Sequence, residues 1–254
     1  MKNRNTAFLY VEEENVASST FFYNFAENGI AMKKLLYAVA VLLLVACGSP
    51  KDVTVRMHTT AGIIDLCLYD ETPRHRDNFI RLVKEHRYDS LLFHRVIQDF
   101  MIQGGDPASK NAAPGVLLGE GDLGYTVEPE FMPNVHFHRR GVLAAAREGD
   151  DVNPTKASSA CQFYIVWGKV YTREQLENYK EFYKQRTGRE LVITPEQEEV
   201  YTTVGGTPHL DGEYTVFGEV VNGMEVVEKI QSVPCDGNDR PLEDVRILKT
   251  EIIK

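Results

Sequence analysis

Residues 93–106 read Phe-His-Arg-Val-Ile-Gln-Asp-Phe-Met-Ile-Gln-Gly-Gly-Asp and hold the side chains best suited to chemistry. The guanidinium of Arg95 follows an aromatic by two positions; the apolar pair Phe100-Met101, the amide of Gln103 and a Gly104-Gly105-Asp106 turn come next. With residues 93–96 and 100–103 as strands, alternation puts Arg95, Met101 and Gln103 on one concave face. Phe100 needs a local bend to join them. A guanidinium and an amide beside an apolar patch, with no nucleophile and no metal set, suit a reaction that breaks no covalent bond. Other reactive residues form no comparable group. His136 and His138 share one side of an extended segment, but no third metal ligand is evident. Cys161 lacks a base at a telling spacing, so inert packing is its expected role. Cys67, Cys161 and Cys235 allow three disulfide pairings, among which the sequence does not choose.

The elements that must position these residues are short. Residues 53–57 and 63–69 alternate apolar and polar around Thr59-Thr60-Ala61-Gly62, a hairpin signal. Thr72-Pro73 opens a helix, with Thr as side-chain cap and Pro at the first helical position. Phe79, Leu82, Val83 and His86 form its inward face. Residues 109–139 are rich in Gly and Pro and read as loop. Residues 141–146, 162–167, 214–221 and 245–253 read as strands, and Val226, Val227 and Ile230 mark a short helix after the Asn222-Gly223 turn. Many short strands with two helices indicate a closed barrel capped at both ends. Residues 170–206 follow a different pattern. Thr172 and Gln175 can form a capping box, with Tyr171 stapled onto Leu176. Leu176, Tyr179, Phe182 and Tyr183 make an apolar stripe, and Gly188 ends the helix. Thr194-Pro195-Glu196-Gln197 starts a second helix on the same logic.

The run at 93–106 resembles the signature of the cyclophilins, which are peptidyl-prolyl cis-trans isomerases, and the likeness extends over residues 53–254. It implies a mainly β fold: a closed eight-stranded antiparallel barrel capped by two helices. Typical members have only a short loop where residues 170–206 lie, so the helical hairpin there is expected to be an insertion, either surface decoration or a rim that selects clients. The implied chemistry is rotation about an X-Pro peptide bond, whose barrier of about 18–20 kcal/mol comes from C–N double-bond character. In the twisted state conjugation is lost and the proline nitrogen becomes basic, so a fixed Arg donor stabilises that state selectively. By resemblance Arg95 is the catalytic arginine and Gln103 its orienting partner. Phe100, Met101, Tyr164 and Leu210 form the proline socket, with His209 at its rim. Gln162, in Cys161-Gln162-Phe163-Tyr164, matches a substrate-binding glutamine, and Ala146 and Arg147 match positions that hold the peptide through backbone groups. Several residues depart from the family pattern. Tyr164 replaces the usual Phe and brings a hydroxyl that needs a partner or water. Arg147 replaces a common Asn, His209 stands where vertebrate members carry Trp, and the substrate-contacting Tyr214 stands where they carry His. The resemblance implies no cofactor, proline-containing polypeptides as clients, and a monomer. The competing expectation is a proline-segment binding or scaffolding module with little catalysis, docking partners through the hairpin.

Composition narrows the setting. The chain has 254 residues, 43% of them hydrophobic, enough for a packed core. Its 28 Lys and Arg against 37 Asp and Glu give a net charge of −9, and no basic run is present, which disfavours a nucleic-acid partner. Four cysteines are too few for a disulfide scaffold or a structural zinc site. Met32-Lys33-Lys34, an apolar run over 35–46 and Cys47-Gly48-Ser49 have the pattern of a secretory signal. The run is shorter than the roughly 20 residues a membrane span needs. Leu44-Val45-Ala46-Cys47 resembles the bacterial lipobox, in which the cysteine is lipidated; the alternative is an ordinary signal with an incidental cysteine. A signal at 32–46 leaves residues 1–31 without a role in the mature protein. They are expected to be a misassigned extension ahead of a start at Met32, with a cytoplasmic tail as the alternative. A short linker at 47–52 would then hold the domain close to the bacterial envelope membrane, facing the periplasm. Gly48 rather than Asp after the cysteine favours the outer membrane.

Overall fold

A computed structural model describes residues 53–254. The expectations for residues 1–31, the signal at 32–46, lipidated Cys47 and the 47–52 linker fall outside these residues. No helix among the described residues is long and apolar enough to cross a membrane.

Strands β1 (Val53–Thr59) and β2 (Gly62–Leu68) form the expected hairpin. Thr59 secures its turn, accepting from the Ala61 and Gly62 amides through Oγ1 at 3.1 and 3.0 Å. Helix α1 (Pro73–Lys84) follows and buries Phe79, Leu82 and Val83. Two expectations for it fail. Thr72 makes no side-chain cap bond, and its buried hydroxyl has no protein partner. The cap comes instead from Glu130, whose carboxylate accepts from the Arg74 and His75 amides at 3.1 Å each and from His75 Nδ1 at 2.7 Å. A carboxylate there satisfies orphan amides and complements the positive end of the helix dipole. His86 lies beyond the helix, exposed at positive φ, so it is no part of the inward face.

The remaining strands are β3 (Phe93–Ile97), β4 (Met101–Gly104), β5 (Thr126–Val127), β6 (Val142–Ala145), β7 (Ser158–Ser159), β8 (Phe163–Val166), β9 (Val216–Asn222) and β10 (Ile247–Ile252). Residues 109–139 are mostly loop, as composition indicates, apart from a 3₁₀ turn at Pro107–Asn111 and the short β5. Eight strands build one antiparallel sheet in the order β10-β1-β2-β9-β6-β8-β4-β3, while β5 and β7 pair separately. The sheet curls around the main core. Its end strands meet through an isolated bridge between Leu92 and Arg246, with the Phe93 amide bonded to Val245 O at 2.9 Å. The fold is thus a mainly β, curled eight-stranded antiparallel sheet whose ends meet at one isolated bridge. Helix α4 (Met224–Gln231), reached after two further helices, buries Val226, Val227 and Ile230 against the same core as α1.

Those two further helices are α2 (Arg173–Thr187) and α3 (Pro195–Thr203). Both begin with the capping boxes legible in the sequence, Thr172 with Gln175 and Thr194 with Gln197. Gly188 ends α2 in the left-handed region, where a residue without Cβ is at ease. The expected stripe is only partly met. Leu176 is buried, Tyr179 and Tyr183 are half-buried, and Phe182 is 54% exposed. The sequence spacing is right, but α2 rests on the body along a narrow line, so the stripe's edge stays in water.

Candidate active site

Alternation along β3 and β4 separates two apolar groups. Val96 and Ile102 turn into the main core with Phe93 and Phe163. Ile97 and Met101, paired in register, turn the other way into a smaller cluster with Val142, Ala144, Tyr164, Val166 and Val216. Arg95 and Gln103 are also register partners and share that second face. The strand reading therefore places Arg95, Met101 and Gln103 together, but on the face turned away from the main core rather than the concave one. The sheet curls around the larger cluster, and the smaller set lies on its other face.

On this face the polar groups form a chain. Arg95 Nη1 lies 3.4 Å from Gln103 Oε1, and Arg95 Nε lies 3.4 Å from Asp239 Oδ2. Gln103 Nε2 donates to Gln162 Oε1 at 3.0 Å. Gln162 Nε2 in turn donates to the carbonyls of Gly119 and Gly121 at 2.8 and 2.9 Å. The loop at 119–121 thus fixes Gln162, Gln162 fixes Gln103, and Gln103 fixes one arm of the guanidinium. Arg95 keeps 43% of its side chain accessible, so the end of the chain is reachable from solvent. Gly105 permits this close approach: at its φ of 97°, a Cβ would stand 2.1 Å from Cys161 O.

Beside the polar chain lies an apolar depression. Phe100 sits in the bend before β4, which the sequence requires for it to join Met101, and it receives the Trp167 and Gly168 amides on its carbonyl. Phe100, Ala146, Leu210 and Tyr214 pack against the cluster that contains Met101 and Tyr164. His209 stacks on Phe100 with ring centroids 5.5 Å apart, and Tyr179 of α2 meets His209 edge-on at 6.0 Å. Burial pushes the His209 imidazole down to about 4, so it is a neutral ring at neutral pH. Tyr214 stands at 6.0 Å from Tyr164 in an edge arrangement and lies beneath the Arg147 guanidinium, 4.5 Å from its ring centre.

Three further candidate residues are engaged within the fold. Ala146 has its backbone engaged within the fold, its amide donating to Gln162 O and its carbonyl accepting from Ser159, both at 2.9 Å. Gln162 is 8% exposed and has both ends of its amide engaged, and it supports Gln103. The Arg147 side chain also turns inward, donating to the carbonyls of Glu213 and Glu148 at 2.9 and 2.8 Å.

Comparison with known proteins agrees with this geometry. Residues 54–252 match the family model for cyclophilin type peptidyl-prolyl cis-trans isomerase. The chain is 30% identical to peptidyl-prolyl cis-trans isomerase CYP18-2 of Arabidopsis thaliana over 206 residues, covering 81% of this chain and 96% of that one. The chain belongs to the cyclophilins. A Staphylococcus aureus (strain USA300) protein named for the same activity is 33% identical over 202 residues, covering 79% of this chain and 92% of its own. Among solved structures, a Cryptosporidium parvum cyclophilin type isomerase aligns with a TM-score of 0.56 at 22% identity, covering 80% of this chain and 98% of that one. A second crystal structure of that protein, in the presence of the dipeptide Ala-Pro, aligns with a TM-score of 0.55. This chain is accordingly a peptidyl-prolyl cis-trans isomerase.

In this cyclophilin several contributors escape sequence reasoning. Asp239 reaches Arg95 from a distant loop, and nothing in its neighbourhood signals the contact. Tyr164 finds its partner in His138, whose Nε2 lies 2.9 Å from the hydroxyl. The sequence identifies the need for such a partner but not its identity. His138 is thereby committed, and His136 stacks on Tyr69 at 4.1 Å, so the two imidazoles serve separate contacts. No group of three or more metal-ligating side chains gathers among the described residues. Cys161 and Cys235 are free thiols, so none of the three pairings forms; burial pushes the Cys161 thiol up to about 11, away from nucleophilic use.

Proposed function

We propose that Arg95 is the catalytic residue of the isomerase, acting without covalent chemistry. As the X-Pro bond twists, the proline nitrogen gains a lone pair, and an Arg95 N–H directed at it lowers the twisted state relative to both planar ones. Gln103, held by Gln162, keeps the guanidinium from swinging. Phe100, Met101, Tyr164 and Leu210 receive the proline ring, with His209 and Tyr214 at the edges. Because the Ala146 amide is already donated, the peptide backbone would be held mainly at Arg147. The observation that carries this reading is the Arg95–Gln103–Gln162 chain lying alongside the second apolar cluster. The presence of an Ala-Pro dipeptide with a cyclophilin of the same fold supports proline-containing polypeptides as clients.

The test is a protease-coupled or NMR-exchange assay on a proline peptide with the soluble domain. Wild type accelerates exchange, and Arg95→Ala lowers kcat/KM by about 100-fold, the scale for losing one transition-state donor. Arg95→Lys fails to restore the rate, since an ammonium lacks the fixed fork. An Arg95→Ala variant with wild-type turnover would remove the residue from the mechanism.

We further infer that the enzyme works on exported proteins as a monomer on a lipid anchor at Cys47, in the outer membrane of a bacterial envelope. The lipobox-like segment supports this, and the intact mass of the native product checks it: a lipidated species beginning at Cys47 is expected, and retention of Phe21 or Phe22 sinks it. The α2–α3 hairpin is taken as an insertion into the cyclophilin frame, and the Leu92–Arg246 bridge as the closing seam of a barrel.

A further inference from the structure

The α2–α3 hairpin grips alternate residues of the segment that carries one wall of the socket. Tyr179 lies against His209 at 6.0 Å, the Tyr201 hydroxyl donates to Asp211 Oδ2 at 2.5 Å, and Arg189 Nη1 lies 2.6 Å from Glu213 Oε1. The middle contact continues inward. Asp211 Oδ1 accepts from the His138 amide at 2.7 Å and faces His138 Nδ1 at 3.0 Å, while His138 Nε2 meets the Tyr164 hydroxyl at 2.9 Å. Tyr201, His138 and Tyr164 are almost wholly buried. A carboxylate only accepts, so Asp211 fixes the tautomer of the neutral imidazole: there Nδ1 carries the proton, Nε2 accepts, and Tyr164 donates. Every hydrogen in the line from α3 to the socket then has one assigned direction. Gly206 lets the parts close up, since a Cβ there would stand 2.2 Å from His138 O and 2.6 Å from Tyr201 Cε1.

We propose that Tyr201, Asp211 and His138 are positioning residues that lock the Tyr164 ring, making the hairpin a working support of the proline socket. The inference rests on the socket assignment above and deepens it. A buried hydroxyl without a partner is costly, so a Tyr164 released from His138 rotates toward another acceptor and spoils the socket's shape. The ring contributes to binding proline in both the planar and the twisted states, so its loss should appear mainly in KM, leaving kcat largely in place.

The test separates kcat and KM for a proline peptide in Tyr201→Phe, His138→Leu and His138→Leu/Tyr164→Phe, with Arg95→Ala alongside. Tyr201→Phe keeps the ring and removes one hydroxyl; KM is expected to rise about fivefold with kcat within about twofold. His138→Leu raises KM further, by about tenfold or more. Adding Tyr164→Phe to it removes the hydroxyl that lost its partner and recovers most of the affinity, which a general loss of packing would not allow. The ¹⁵N spectrum of His138 supplies an activity-free readout: a protonated Nδ1 in wild type that shifts in Tyr201→Phe. An unchanged KM in folded Tyr201→Phe, or a double variant no better than His138→Leu, overturns the proposal while wild-type turnover and the Arg95→Ala loss keep the isomerase site intact. Absence of turnover in the wild type sinks the socket assignment and this inference together.

Discussion

At the scale of single residues, the site depends on groups that never touch substrate. Gln162 lies between two glycine carbonyls and Gln103, and removing its amide frees all three. Gln162→Leu should therefore lower kcat/KM by about tenfold, because the guanidinium loses its fixed approach. It should also cost about 1 kcal/mol of stability, because the half-buried Gly119 and Gly121 carbonyls lose their donor. Chemical denaturation and the isomerase assay measure the two effects separately; a full-rate variant would show that Gln103 holds its place unaided. Arg95, Gln103 and Met101 are legible in sequence because one contiguous run on two paired strands supplies them. Asp239, His138 and Asp211 are not. They reach the site from loops, where neither periodicity nor a local motif reports which way a side chain points.

At the scale of elements, helix α1 shows how far sequence rules for a helix start extend. Thr72-Pro73 locates the start correctly, yet the threonine hydroxyl is buried without a partner and Glu130 does the capping. A rule built on adjacent residues has no access to a carboxylate that arrives from a distant loop. The consequence is an inverted mutational pattern. Thr72→Val should be neutral or mildly stabilising, since it removes an unsatisfied hydroxyl at equal shape. Glu130→Ala should cost about 2 kcal/mol by unpairing two helix amides and His75. Urea midpoints of the two variants decide the matter, and a larger loss in Thr72→Val than in Glu130→Ala would restore the local cap. By contrast, the boxes on α2 and α3 are wholly local, and there the sequence pattern and the structure coincide.

At the scale of the molecule, buried imidazoles tie stability to acidity. Burial holds His94 and His209 each down to about 4, and His75 is lowered mainly by the same cause. The unfolded chain takes up these protons at about pH 6.5, whereas the folded protein resists them until about pH 4. The contribution of these imidazoles is therefore full above about pH 6.5, falls as pH drops toward 4, and levels below that; His94 alone accounts for up to about 3 kcal/mol of the fall. Urea denaturation at pH 7.5, 5.5 and 4.5 should show this trend, and His94→Leu should flatten it. An unchanged slope in that variant would mean that the other groups dominate. The fold class itself is legible because strand alternation and turn chemistry recur along most of residues 53–254. The seam is not, because a single bridge between Leu92 and Arg246 has no sequence pattern of its own.

The strand order carries one more consequence, for synthesis. The β1–β2 hairpin is made first, but its outer neighbours in the sheet are β10 and β9, the last two strands of the chain. Pairings such as Val55 with Ile252 and Cys67 with Glu219 cannot form until nearly the whole polypeptide is available. Contacts so distant in sequence slow folding and prolong the exposure of both hairpin edges, the surfaces most open to pairing with another chain. An isomerase with this topology therefore leaves both edges of its first hairpin unpaired until its last two strands are available.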